Sequence, residues 1–150
     1  ARAKIIFHSI TLVAPEWCRF RGRNRRPPLD PINVLLSLSY SLIYAECSRA
    51  LTAHALDPML GFYHEPVHGR YSLACDLTER IRTEVEKWVL QLVMTEELKS
   101  GHFSSSEQYP CVLNKDGRAI FYLLWERKFK VWKKYIRLNA QHWAKTVDRA

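Results

Sequence analysis

Five side chains of one short stretch set the first chemical question. His64-Glu65-Pro66-Val67-His68 matches the zinc-peptidase pattern H-E-x-x-H letter for letter. That chemistry needs both histidines on one helical face four residues apart, and a proline at the third position, with Gly61 and Gly69 on either side, removes the helix. A metallopeptidase is therefore set aside. Asp76 and Glu79 are the more productive pair, because at i and i+3 on a helix they share a face beside the apolar stripe. Two carboxylates ~5.5 Å apart repel by roughly 3 kcal/mol at an effective dielectric of 20, so a half-buried pair calls for a cation. With His64 from the preceding loop, the set is two carboxylates and an imidazole, a donor mix suited to Mg²⁺ or Mn²⁺ better than to structural zinc. The same acids at an exposed helix start would simply favour the positive end of the helix dipole, and composition alone leaves both readings open. Arg80 and Arg82 can pair with these acids or meet phosphate.

A second constellation is basic. Arg19, Arg21, Arg23, Arg25 and Arg26 fall within eight residues and run into Pro27-Pro28. Arginines at alternate positions share one side of an extended segment, and the prolines forbid helix, so the stretch is expected to be a semi-rigid arm that contacts nucleic-acid phosphate. The whole chain of 150 residues carries a net charge of +8, distributed as +5 over residues 1–44, −4 over 45–117 and +7 over 118–150. An anionic partner fits the two basic ends, and the acidic middle holds Asp76 and Glu79.

The positioning elements follow from periodicity. Asp30-Pro31 supplies an N-cap and a proline at the first helical position, opening a Leu-rich helix that is apolar nearly all round and runs to about Leu56, before Asp57-Pro58. Ser72 can cap a helix in which Leu73, Leu77, Ile81, Val85, Trp88 and Leu92 recur at three- and four-residue spacing. Residues 99–117 are rich in turn formers, with Tyr109–Leu113 a short strand, and Asp116-Gly117 precedes a final amphipathic helix whose basic residues alternate with Trp125, Phe129, Trp132 and Tyr135. Residues 1–13 add a further helix. The expected fold is mainly α, one multi-helix domain with a small irregular or β-hairpin insertion near residues 99–117.

Several classes are excluded. The five glycines are too scattered for a Walker loop or a G-x-G-x-x-G fingerprint. The longest apolar run, residues 32–45, is broken by three serines and falls short of the ~20 residues of a membrane span. Cys18, Cys47, Cys75 and Cys111 form no C-x-x-C pair, which suggests reduced, mostly buried thiols in a cytosolic protein. No serine or cysteine has a nucleophile signature around it.

Three blocks carry a specific resemblance. Arg21-Gly22-Arg23-Asn24-Arg25-Arg26-Pro27-Pro28-Leu29-Asp30-Pro31-Ile32-Asn33, Leu56-Asp57-Pro58-Met59-Leu60-Gly61-Phe62-Tyr63-His64 and Ser72-Leu73-Ala74-Cys75-Asp76-Leu77-Thr78-Glu79 closely resemble the CRISPR-associated integrase family, the DNA-inserting subunit of the spacer-acquisition complex. The resemblance runs from residue 1 to the mid-120s and is to the family's C-terminal helical domain, without its N-terminal β-rich dimerisation domain. It implies an enzyme that joins the 3′-hydroxyl ends of short DNA fragments into the CRISPR array by transesterification. By the family pattern His64 and Glu79 are ligands of Mg²⁺ or Mn²⁺ and Asp76 is the supporting acid, while Asn33 matches a structural position. It further implies double-stranded DNA, a second copy of the chain and the small second adaptation subunit as partners, in the cytoplasm of a prokaryote and without a membrane. The family carries one more metal-binding glutamate in a Glu-Gly motif on its first helix, and Ala1-Arg2-Ala3-Lys4 begins a few residues after it. A chain cut there is expected to bind metal weakly and to be inactive in isolation. The competing expectation is a non-catalytic, basic helical module that binds DNA and uses His64, Asp76 and Glu79 only structurally.

Overall fold

A computed structural model describes residues 2–57 and 72–148, with side chains from residue 6 onward. Its elements are α1 (Arg2–Val13), α2 (Pro31–Ala53), α3 (Ser72–Met94), the strands β1 (Phe103–Ser104) and β2 (Val112–Leu113), and α4 (Lys115–Asp148). The mainly helical fold with a small hairpin is thus the expected one. No helix among the described residues is long and apolar enough to cross a membrane.

The chain divides into two compact units, residues 1–39 with 85–125 and residues 40–84 with 126–150. In the first, Asp30 caps α2 by accepting a hydrogen bond from the Asn33 backbone N–H at 2.9 Å, and Pro31 occupies the first helical position. Trp88 of α3 meets Phe121 and Trp125 of α4 edge-on, with centroids 5.8 and 5.6 Å apart, and all three rings are buried. Trp125 and, in the other unit, Trp132 are therefore core residues rather than base-stacking platforms.

The hairpin pairs Phe103 with Leu113 and Ser104 with Val112, so only the last two residues of the expected Tyr109–Leu113 strand are laddered. Its return into α4 differs from expectation. The helix starts at Lys115, capped by Asn114, whose Oδ1 accepts from the Gly117 N–H at 2.9 Å, and Asp116-Gly117 lies inside the first turn. A glycine is required there for space: a Cβ would sit 2.3 Å from the His102 carbonyl oxygen and 2.9 Å from Leu113 Cδ2. Gly117→Ala should accordingly destabilise the protein by about 1–3 kcal/mol, although alanine is the better helix former by about 1 kcal/mol. Urea denaturation checks this, and a stabilised variant would contradict the close approach.

In the second unit α2 packs against α3 and α4. The Cys47 thiol and Thr78 hydroxyl are hydrogen-bonded, Arg82 lies 5.7 Å from the Tyr40 ring, and Arg80 lies 5.3 Å from the Trp143 ring. Buried Glu46 pairs with Arg49 at 2.9 Å and with Arg137 of α4 at 3.9 Å. Helix α2 exposes only Ser41, Arg49, Thr52 and Ala53 along its 23 residues, as its apolar circumference requires. It stops before Asp57-Pro58: Ala55 turns left-handed (φ 57°), and the N–H groups of Ala55 and Leu56 close back on the carbonyls of Thr52 and Leu51.

Candidate functional site

The periodic stripe of α3 determines where its acids point. Leu73, Leu77, Ile81, Val85, Trp88 and Leu92 are all buried, as their spacing predicts. Asp76, adjacent to that stripe in the second helical turn, is drawn inside and is only 2% exposed. Glu79 sits three residues on at the solvent edge, its side chain 53% exposed and paired with the Arg82 guanidinium at 3.1 Å. The two acids thus occupy one flank of one helix in different environments, the first desolvated and the second wet. A buried aspartate does not fit a merely solvated helix start.

The neighbouring cations are also placed. Arg82 bridges Glu79 and the face of Tyr40, and Arg80 lies over Trp143, so both are oriented by aromatic rings of the same unit. His64 and His68 lie outside the described residues, as does the H-E-x-x-H stretch. Among the described residues no group of three or more His, Cys, Asp and Glu side chains is close enough to hold a metal. The described part of the expected site is therefore a two-carboxylate half. Oxygen donors one helical turn apart, one of them open to solvent, suit a hard divalent cation.

The arginine segment departs from the row expected of it. Arg19 ends a short 3₁₀ turn (Glu16–Cys18) in a left-handed conformation with φ 48°, Phe20 is buried, Gly22 takes φ 123°, and the Arg26–Pro27 peptide is cis. Arg19, Arg21, Arg25 and Arg26 are exposed, whereas Arg23 turns inward. Its guanidinium donates to Asn33 Oδ1 at 2.8 Å, to Ser37 Oγ at 3.1 Å and to the Asn24 carbonyl. Four arginines are left facing water and one holds the segment to α2.

The centre of that attachment is Asn33, which sequence reasoning identified only as a structural position. Fully buried, it donates through Nδ2 to the Gly22 carbonyl at 2.9 Å and to Asp30 Oδ2 at 2.6 Å. Its Oδ1 accepts from the Asn24 N–H at 2.9 Å as well as from Arg23. Every donor and acceptor of the amide is used. Burial holds the Asp30 carboxyl above its ordinary range, and the hydrogen bonds from Asn33 pull it partway back.

Cysteine chemistry is absent from the candidates. Burial pushes the Cys18 and Cys47 thiols up to about 12 and that of Cys111 to about 11, so none of the three is a thiolate nucleophile at neutral pH. All four cysteines are free.

With this geometry in place, comparison with known proteins gives a consistent answer. Residues 1–127 match the family model described as CRISPR associated protein Cas1. A CRISPR-associated endonuclease Cas1 of Thermodesulfovibrio yellowstonii is 36% identical over 148 residues, covering 98% of this chain and 46% of the relative. Among solved structures, a casposase bound to integration product superposes with a TM-score of 0.84 at 27% identity, over 95% of this chain and 44% of that one. A partial Cas6-RT-Cas1–Cas2 complex gives 0.86 at 26% identity, over 95% and 46%. The chain spans less than half the length of each of these proteins.

Proposed function

The chain belongs to the CRISPR-associated Cas1 family, and from that premise we propose that it forms the catalytic helical part of a divalent-metal-dependent integrase that inserts short DNA fragments into a CRISPR array. The observation that carries this reading is the pair on α3, a buried Asp76 one turn before a solvent-edge Glu79. In this reading Glu79 and His64 are the cation's ligands and Asp76 is the acid that supports them. Glu79 and His64 would hold a divalent cation there, which would supply charge neutralisation at the reacting phosphate and lower the pKa of the 3′-hydroxyl.

The remaining work falls to the chain's own groups. The attacking 3′-oxygen gives up its proton and forms a new bond to phosphorus, while the P–O bond to the old 3′-oxygen breaks and that oxygen takes up a proton. One phosphodiester replaces another, so no external energy source enters. Asp76, buried beside the apolar stripe of α3, is the acid that supports this edge. Arg82, paired with Glu79 and held over the Tyr40 ring, keeps a positive charge beside the acidic edge where phosphate would approach. Arg19, Arg21, Arg25 and Arg26 supply phosphate contacts that position the strand without reading its sequence.

Partners follow from the same likeness. The likeness to a casposase bound to integration product and to a Cas6-RT-Cas1–Cas2 complex supports DNA and a Cas2-type subunit as partners, and we propose a second copy of the chain beside them in a prokaryotic cytoplasm. Metal removal tests the activity. The full-length protein should lose joining of 3′ ends in EDTA and regain it with Mn²⁺ or Mg²⁺, measured on a labelled fragment and a supercoiled repeat plasmid. Undiminished joining in EDTA would contradict the proposal.

A further inference from the structure

The two arginines beside the acids of α3 are used differently. At about 3.6 residues per turn, Asp76 and Arg80 lie to one side of Glu79 and Arg82 to the other, so the acidic edge has a guanidinium on each flank. Arg82 is drawn onto Glu79 at 3.1 Å, and its side chain is only 22% exposed. Arg80 is exposed and, among the described residues, enters no ion pair. An indole holds it instead: the guanidinium lies 5.3 Å from the centre of the Trp143 ring. Trp143 is buried near the end of α4, in the same unit as this part of α3 and beyond residues 1–127, the stretch that matches the family model.

A neutral ring orients a cation without cancelling its charge, as a carboxylate partner does. The Arg80 guanidinium keeps its full charge, and its planar fork of N–H donors suits the two free oxygens of a phosphodiester. A side chain restrained beforehand also loses less rotamer freedom when it binds. With the reacting phosphate opposite Glu79 and His64, the next phosphate along the strand needs a positive partner of its own. We propose that Arg80 binds this neighbouring phosphate and that Trp143 is its positioning residue. The inference rests on the integrase reading and brings the second half of α4 into the site. Arg80 seats the strand and takes no part in making or breaking a bond.

Joining kinetics of the full-length protein test it, with a labelled fragment and a supercoiled repeat plasmid titrated in turn. Arg80→Gln should raise the KM for one of the two DNAs about tenfold and leave kcat within about twofold, the pattern of a lost binding contact. Whichever DNA shows the rise carries the phosphate. For that DNA the slope of log K against log salt should flatten by about 1. Trp143→Leu should raise the same KM and add nothing to Arg80→Gln in the double variant. Fluorinated tryptophans at 143 keep the indole's shape while draining negative charge from its face, so KM should climb with fluorine number, and they decide the matter if Trp143→Leu unfolds. Unchanged KM and salt slope in Arg80→Gln would overturn the phosphate contact. A KM indifferent to fluorination, or losses that add in the double variant, would overturn the role of Trp143. Wild-type protein that joins no 3′ ends in Mn²⁺ overturns the integrase reading on which both depend.

Discussion

Replacing Glu79 by Gln in the full-length protein is expected to lower 3′-end joining by at least roughly a hundredfold while leaving DNA affinity within about twofold. The magnitude follows from losing about 3 kcal/mol of charge stabilisation at the reacting phosphate when a ligand of the cation becomes neutral. The position makes the result interpretable. Glu79 is half exposed, and its described ion pair is a surface contact to Arg82, worth about 0–1 kcal/mol, so thermal stability should barely move. Asp76 is the opposite case: Asp76→Asn should also abolish joining, but at 2% exposure the change reaches packing and hydrogen bonding, and folding must be measured beside activity. A module that only binds DNA would leave joining by the parent protein unchanged in Glu79→Gln. Kinetics of strand joining and a melting curve on the same preparation separate the two outcomes.

Asn33→Ala is expected to produce the largest loss of stability, about 2–4 kcal/mol, or a fall in Tm of roughly 5–15 °C. Removing the amide leaves the Gly22 carbonyl and the Asn24 N–H without their partner and takes one acceptor from Arg23. It also removes the amide hydrogen bond to the Asp30 carboxylate, so that carboxyl, already raised by burial, rises further. A carboxyl raised in the folded state gives stability that is complete below its unfolded value and lost as pH increases through its folded value. The penalty of Asn33→Ala should therefore be smaller near pH 4 than at pH 7. Urea denaturation at the two pH values measures this, and a penalty that grows toward acid would refute the assigned linkage. DNA binding should weaken as well, because the arginine segment loses its tie to α2.

The elements most legible in the sequence are those fixed by local chemistry. Asp30-Pro31 announced the start of α2, and the apolar spacing of α3 identified its buried face together with the acids beside it. What periodicity could not carry were contacts between distant segments. Gly117 reads as a turn residue, and only the approach of the His102 carbonyl explains it inside a helix. Alternation in the arginine segment predicts a single row, but Arg23 is captured by Asn33 and Ser37, ten and fourteen residues away. Asp57-Pro58 predicts that α2 runs to about Leu56, yet a left-handed Ala55 closes it at Ala53, a conformation that no side-chain signal marks. Within the candidate site, the i, i+3 spacing of Asp76 and Glu79 was readable, whereas their unequal burial depends on neighbours that sequence does not name.

In the proposed site the acidic edge of α3 would hold a divalent cation together with His64. Titration of Mn²⁺ into the full-length protein, followed by electron paramagnetic resonance of the free ion, addresses it without any catalytic step. One site per chain is predicted in the wild type, with affinity reduced at least roughly tenfold in Glu79→Gln and in His64→Ala. Unchanged stoichiometry and affinity in both variants would contradict the assignment of these residues as ligands.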